Sequence, residues 1–217
     1  AVVLNCLSST TVEIGPSGTG TLLPGQLAGA ITVYCGGNPV YDFNHGVFTC
    51  ADLGDNAVTM NVSNAKFYGA CVATVTVVDN TPPNLICKNY TTYLNAAGTA
   101  TVSELDVIQN ANDNCGVLYL QGLSQSTFSC ADLGANIITL TVNDTHGNNK
   151  TCNTTVTVAD NTPPTALCKN AMIYLDEEGI ATVPATQVFQ SGADNCGTAS
   201  PVSVSPDVFT CNDLGVQ

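Results

Sequence analysis

The chain has 217 residues, 17 of them acidic against four lysines and no arginine, for a formal net charge of −13, and it carries 11 cysteines and no tryptophan. That balance excludes a nucleic-acid binder, which needs a basic footprint, and sets the chain against direct insertion at anionic membrane surfaces. Eleven cysteines without one C-x-x-C pair point to a disulfide framework rather than zinc ligation, and so to an extracellular, secreted or cell-surface protein.

Strand signals of period two begin near the N-terminus and recur along the chain. Phe48 shares a face with Cys50, and Val58, Met60 and Val62 face one way while Thr59, Asn61 and Ser63 face the other. The strand "GACVATVTVVD" puts Cys71, Ala73, Val75 and Val77 on one side and ends at a linker, Asp79-Asn80-Thr81-Pro82-Pro83. Two prolines fix φ and remove donors, so this joint reads as extended and stiff. Next come an Ala-Ala-Gly turn (96–98), an Asp113-Asn114-Cys115-Gly116 loop and the paired positions Phe128 and Cys130. Ile138, Leu140 and Val142 alternate with Thr139, Thr141 and Asn143. After a His-Gly-Asn turn (146–148), Cys152, Thr154, Val156 and Val158 form another one-faced set. A second linker, Asp160-Asn161-Thr162-Pro163, a Glu-Glu-Gly turn (177–179), Asp194-Asn195-Cys196-Gly197 and "FTCNDLGVQ" complete the chain.

The recurrence has a fixed period. "VVDNTPPNLICKN" at 77–89 returns as "VADNTPPTALCKN" at 157–169, and "FTCADLG" at 48–54 as "FSCADLG" at 128–134. The cysteines fall into four classes: Cys6, Cys87 and Cys168; Cys35, Cys115 and Cys196; Cys50, Cys130 and Cys211; Cys71 and Cys152. A period of about 81 residues indicates small β domains rather than the roughly 20–47-residue units of helical solenoids. Repeat 1 is placed at 1–78, a linker at 79–83, repeat 2 at 84–159, a linker at 160–163, and repeat 3 at 164–217, incomplete because its last strands are missing. Short strands with turns every 8–12 residues define an all-β fold: tandem immunoglobulin-like β-sandwiches, disulfide-stapled and arranged end to end.

Asp79, Pro82, Pro83, Cys87, Asp113, Asn114, Gly116, Gly134, Asp144, Gly147, Asn148 and Cys152 together resemble the pattern of the hyalin-repeat (HYR) family, and more closely its four-cysteine versions in giant secreted surface adhesins of Bacteroidota. The resemblance implies a non-catalytic stalk or adhesive fibre, part of a larger cell-surface adhesin, partnered by neighbouring repeats or like chains and by a surface ligand of unknown identity. It leaves two alternatives: an extracellular filament subunit that assembles between chains by strand donation, or a glycan-binding module, for which seven tyrosines without tryptophan give thin support.

The family pattern keeps the first and fourth cysteine classes. It thereby implies Cys6–Cys71 and Cys87–Cys152, and leaves Cys35–Cys50, Cys115–Cys130 and Cys196–Cys211 to pair, with Cys168 without a partner in this chain. Spacing adds slight support, since first-to-fourth is 65 residues in both complete copies and second-to-third is 15 in all three. Four cysteines nevertheless allow three connectivities.

Two sets of oxygen donors flank the linkers. Asp79 and Asn80 are expected to approach Asp113, Asn114 and Asp144, and Asp160 and Asn161 to approach Asp194 and Asn195. Such carboxylates, amides and carbonyls are what calcium takes in its six to eight oxygen ligands. Repeat 1 lacks both halves: its second-class cysteine reads "VYCGG", and Asn64 stands where repeat 2 has Asp144. An Asx turn alone is the plainer reading of Asp-Asn-Cys-Gly. His45 and His146, the only histidines, occupy non-equivalent turns and read as solvated surface, and no nucleophile–base set recurs, so no enzymatic activity is expected. Of five N-x-S/T sequons, Asn61, Asn143 and Asn153 fall on outward faces where glycans could sit.

Overall fold

The computed structural model describes residues 2–33 and 38–215. Their regular structure is mostly strand, with three four-residue helices, Pro24–Leu27, Glu104–Val107 and Ala185–Val188, and short 3₁₀ turns. In repeat 1 the strands are β1 (Val2–Cys6), β2 (Ser9–Glu13), β3 (Thr19–Thr21), β4 (Ala28–Val33), β5 (Val40–Phe43), β6 (Val47–Thr49), β7 (Gly54–Asn64) and β8 (Phe67–Val78). Repeat 2 supplies β9 (Asn84–Cys87), β10 (Tyr90–Tyr93), β11 (Thr99–Thr101), β12 (Ile108–Asn112), β13 (Tyr119–Leu123), β14 (Thr127–Ser129), β15 (Gly134–Asn143) and β16 (Asn149–Ala159). Repeat 3 has β17 (Thr165–Cys168), β18 (Ile180–Thr182), β19 (Phe189–Ala193) and β20 (Val208–Thr210).

One sheet of repeat 1 runs β2-β8-β7-β5, and the smaller pairs β1-β4 and β3-β6 supply its other face. β2 lies parallel to β8, whereas β7 and β8 form a long antiparallel hairpin. Repeat 2 has the same order, β10-β16-β15-β13, with β12-β9 and β11-β14. This is the immunoglobulin-like sandwich that the strand parity predicts.

By compactness the chain groups into two units, 1–88 with 107–123 and 139–153, and 89–106 with 124–138 and 154–217. In the first unit Val58, Met60 and Val62 of β7 are fully buried, as are Phe48 and Val75. They pack with Val12, Ile14, Leu22, Leu27, Ala73 and Val77, and Cys6, Cys50, Cys71 and Cys115 border this cluster. Each residue of the period-two reading therefore takes the face that its alternation assigns. In the second unit Phe128, Ile138, Val156, Val158 and Val183 are buried.

The phrase Phe-Thr/Ser-Cys-x-Asp-Leu has a local mechanism. Thr49 N and Oγ1 both donate to Asp52 Oδ2, at 2.8 and 2.9 Å, while Thr49 Oγ1 accepts from Ala51 N. This box closes the 3₁₀ turn Cys50–Asp52 and fixes the direction of Cys50. Ser129 with Asp132, and Thr210 with Asp213, close the same turn around Cys130 and Cys211. The hydrogen bonds from Thr49 hold the Asp52 carboxyl below the usual carboxylate range, and those from Ser129 do the same for Asp132.

Disulfides join Cys6 to Cys71 and Cys87 to Cys152, one in each complete repeat, and Cys168 is an exposed free thiol. The other expected pairs are corrected. Cys50 bonds Cys115 rather than Cys35, and Cys130 bonds Cys196 rather than Cys115; Cys211 is free instead of bonding Cys196. Cys35 itself lies outside the described residues. The reason is geometric: the capping boxes present Cys50 and Cys130 beside the loops Asp113-Asn114-Cys115 and Asp194-Asn195-Cys196. The Cα atoms there stand 5.1 and 5.2 Å apart, within ordinary disulfide reach.

Candidate cation site at the Asp-Asn-Thr-Pro-Pro turn

β8 ends at Val78, and the next side chain, Asp79, is buried. Its Oδ1 accepts from Thr81 N at 3.0 Å, an Asx turn that leads the backbone into Pro82-Pro83. Thr81 Oγ1 in turn donates to Ile14 O at 2.9 Å, tying the turn to the end of β2. Asn114 Nδ2 donates to Asp79 Oδ1 at 3.1 Å and to Gly15 O at 3.2 Å. One amide thus holds the linker and the preceding repeat together.

The second carboxylate is Asp144, also buried. Its Oδ1 accepts from His146 N and Asn148 N, both at 2.8 Å, and its Oδ2 from Asn148 Nδ2 at 2.7 Å. Asn148 Nδ2 also reaches Asp79 O at 3.1 Å. Burial pushes the Asp144 carboxyl up, but the hydrogen bonds from Asn148, His146 and Gly147 outweigh it, and the group titrates below its ordinary range. Asp79, Asp144 and His146 each offer a ligand atom within 4.8 Å of one another, and His146 Nδ1 lies 3.5 Å from Asp79 Oδ2.

Several oxygens here accept no hydrogen bond, although Asp79 Oδ2 faces His146. Asp79 Oδ2, Asp113 Oδ1 and Asn114 Oδ1 are buried and accept no hydrogen bond, although Asp113 Oδ2 accepts from Cys115 N at 3.0 Å. An unsatisfied buried acceptor costs about 1–3 kcal/mol, and more when charged. Two carboxylate oxygens and an amide oxygen are hard donors, a set that suits calcium better than a thiol- or imidazole-seeking metal.

The second linker repeats the Asx turn and the bridging amide. Asp160 Oδ1 accepts from Thr162 N and from Asn195 Nδ2, both at 3.0 Å, and Asn195 Nδ2 reaches Asn95 O at 3.2 Å. The Thr162 amide and the Asn195 side chain hold Asp160 below the usual carboxylate range. Asp194 Oδ2 accepts from Cys196 N at 3.3 Å, while Asp194 Oδ1 and Asn195 Oδ1 are buried without partners.

Of the residues singled out by sequence, Asp79, Asn114 and Asp144 come together, and Asp160 meets Asn195, whereas Asp113 caps its own turn at Cys115 N and is not in the Asp79–Asp144–His146 group. Asn80 turns away and donates to Glu13 Oε1 at 2.9 Å, and Asn161 is exposed. Glu13 carried no signal in the sequence. His146, read as a solvated turn residue, is exposed but points a ring nitrogen at Asp79. Asn148 bridges both acids, and its place in the Asp-x-x-Gly-Asn phrase was the signal for it. Among the sequons, Asn153 is exposed, whereas Asn61 is half-buried under Tyr68 and Asn143 Oδ1 is buried.

Fold and site together define an all-β, disulfide-linked, immunoglobulin-like protein with acid-rich turns at its linkers. The family model for the HYR domain matches residues 78–158. Hyalin of Strongylocentrotus purpuratus is 33% identical over 141 residues, covering 62% of this chain and 12% of that protein. Hyalin of Lytechinus variegatus is 31% identical over 140 residues, covering 60% of this chain and 26% of that protein. The chain thus spans only a small part of these relatives' length. Among solved structures, titin domains I67–I69 match at 15% identity and a TM-score of 0.30, over 84% of this chain and 70% of theirs. Protocadherin gammaB7 EC3-6 matches at 12% and a TM-score of 0.36, over 87% and 55%. No helix among the described residues is long and apolar enough to cross a membrane.

Proposed function

We propose that this chain is part of an extracellular, non-catalytic stalk or adhesive fibre, built from the repeats at 1–78, 84–159 and 164–217, whose linkers are stiffened by calcium. The observation that carries the calcium reading is the approach of two buried carboxylates, Asp79 and Asp144, within 4.8 Å of each other, with Asp79 Oδ2 accepting no hydrogen bond. Asp79 and Asp144, with Asp113 and Asn114 offering further oxygens from the neighbouring loop, would hold the ion; it would supply positive charge where bare carboxylates repel. The adhesive part of the reading rests on the HYR match and the hyalin relatives, and a Bacteroidota surface adhesin is the host that the four-cysteine pattern suggests.

Thermal unfolding of the purified chain with calcium and with chelator tests this. Calcium that binds only the folded form raises the melting temperature as its concentration passes the dissociation constant. Asp113→Ala should abolish most of that rise. A melting temperature indifferent to chelator in the wild type would reduce the linker to a proline-stiffened turn.

The filament reading has its own observation. In repeat 3 an open groove is lined by Met172, Ile173, Leu175, Val183, Phe209 and Leu214. Residues 171–174, equivalent to β2 and β10, form no strand, and Met172 and Tyr174 are 75% and 82% exposed. In repeats 1 and 2 the equivalent segments pair with β8 and β16, so the filament reading is that a strand of that kind from another chain pairs at 171–174. Concentration-dependent polymers in sedimentation would favour this reading, and a monomer at all concentrations would oppose it.

A further inference from the structure

The two corrected disulfides share one socket. Cys50 Sγ stands 3.9 Å from Gly18 O and 3.2 Å from Asn114 O. Cys130 Sγ stands 3.7 Å from Gly98 O and 3.4 Å from Asn195 O. In both, the third-class cysteine of one repeat and a glycine turn of the same repeat receive the Asp-Asn-Cys-Gly loop of the next. The glycine is required at two levels. Gly98 has φ +72°, and a Cβ there would lie 2.8 Å from both Asn195 O and Cys130 Sγ. Any side chain at that position would collide with the incoming loop.

Repeat 3 carries the same socket with its thiol free. Cys211 Sγ stands 3.9 Å from Gly179 O, the distance seen at Cys50 and Gly18. Gly179 has φ +76°, and a Cβ on it would lie 2.8 Å from Cys211 Sγ. The capping box Thr210–Asp213 is closed, with Thr210 N donating to Asp213 Oδ2 at 2.8 Å. The turn Asp176–Ile180 is also formed: Gly179 N donates to Asp176 O at 3.0 Å, as Gly98 N does to Asn95 O at 2.8 Å. Asp176 O therefore occupies the place of Gly15 O and Asn95 O, which accept from Asn114 and Asn195. Cys211 is exposed.

We propose that Gly179, Asp176 and Cys211 form a preorganised covalent docking site for a further repeat of the Asp-Asn-Cys-Gly type. The loop's cysteine bonds Cys211, and its asparagine amide donates to Asp176 O. The step is a two-electron oxidation: two thiols lose two protons and two electrons to an oxidised disulfide of the glutathione class, which leaves as two thiols. This inference is independent of calcium and concerns how successive repeats are linked.

The test uses the full chain and a peptide of sequence Ser-Gly-Ala-Asp-Asn-Cys-Gly, matching residues 191–197, whose cysteine carries a 2-thiopyridyl group. The thiolate attacks the peptide sulfur, the old S–S bond breaks, and pyridine-2-thione leaves. Cys168, equally free and exposed, is the internal control. Peptide mapping by mass should show Cys211 labelled about tenfold faster than Cys168, the scale of one well-made hydrogen bond with a turn already formed. The preference should disappear for the peptide with Ala-Ala in place of Asp-Asn, and for Gly179→Ala. Gly179→Ala should still react at Cys211 with oxidised glutathione, which separates a blocked socket from a lost fold. Equal labelling of both thiols by both peptides would overturn the proposal.

Discussion

The two linkers use the same Asp-Asn-Thr-Pro phrase and the same local fastening. At 79–83 the Asx turn of Asp79 and the bridging amide of Asn114 are joined by a second buried acid, Asp144, and by His146 and Asn148. At 160–163 the turn and the bridging Asn195 recur, and Asp194 keeps one buried oxygen that accepts no hydrogen bond. The Asx turn, the bridging asparagine and the inter-repeat disulfide recur at both linkers, so they are the fastening. At 79–83 the hairpin acid Asp144 stands beside that fastening and makes the turn a candidate ion cage.

The fastening is where perturbation should act most strongly. Cys50 and Cys115 close a span of 65 residues, and Cys130 and Cys196 one of 66. Replacing either pair by serine should cost about 4 kcal/mol by the chain-entropy argument, read as a lowered denaturant midpoint. If only the 50–115 pair mattered, the equivalence of the linkers would fail. Next in size are the bridging amides. Asn114→Ala and Asn195→Ala each remove the amide bonds to the linker acid and to the glycine-turn carbonyl, so each should cost about 1–2 kcal/mol. Unequal losses would show that Asp144 and Asn148 brace the first linker. Smaller still is the capping box: Thr49→Val or Ser129→Ala should cost about 1 kcal/mol and leave the disulfides intact in a peptide map.

Acid should act last and mildly. Asp52, Asp132, Asp144 and Asp160 all titrate below the ordinary carboxylate value in the folded chain. A depressed folded value contributes stability that is present above the unfolded value, near 4, and is lost as pH falls through the folded value. The melting temperature should therefore hold from neutral pH to about 4 and decline below it. A decline beginning near pH 6 would contradict this assignment to the four carboxylates.

Much of this was legible from residues alone, and the failures have physical causes. Alternation in "NAVTMNVS" assigns Val58, Met60 and Val62 inward, because in a sandwich one face of each strand must be buried. Asp79, Asn114 and Asp144 were found through the phrase that repeats around them. The second and third cysteine classes misled, because a constant 15-residue spacing suggests a local pair. The more telling signal was that Cys50 to Cys115 has the 65-residue spacing of Cys6 to Cys71. The Glu13 contact to Asn80 depends on where the end of β2 meets the turn, which no local pattern encodes.

The central claim, that the linker at 79–83 is an ion cage and not only a fastening, is tested most directly by calorimetric titration of calcium into the full chain, wild type and Asp144→Asn. The account predicts saturable binding at the first linker in the wild type, and loss of at least that site in Asp144→Asn with the disulfides and fold unchanged. Absence of binding in the wild type, or an isotherm that Asp144→Asn leaves unaltered, would contradict it.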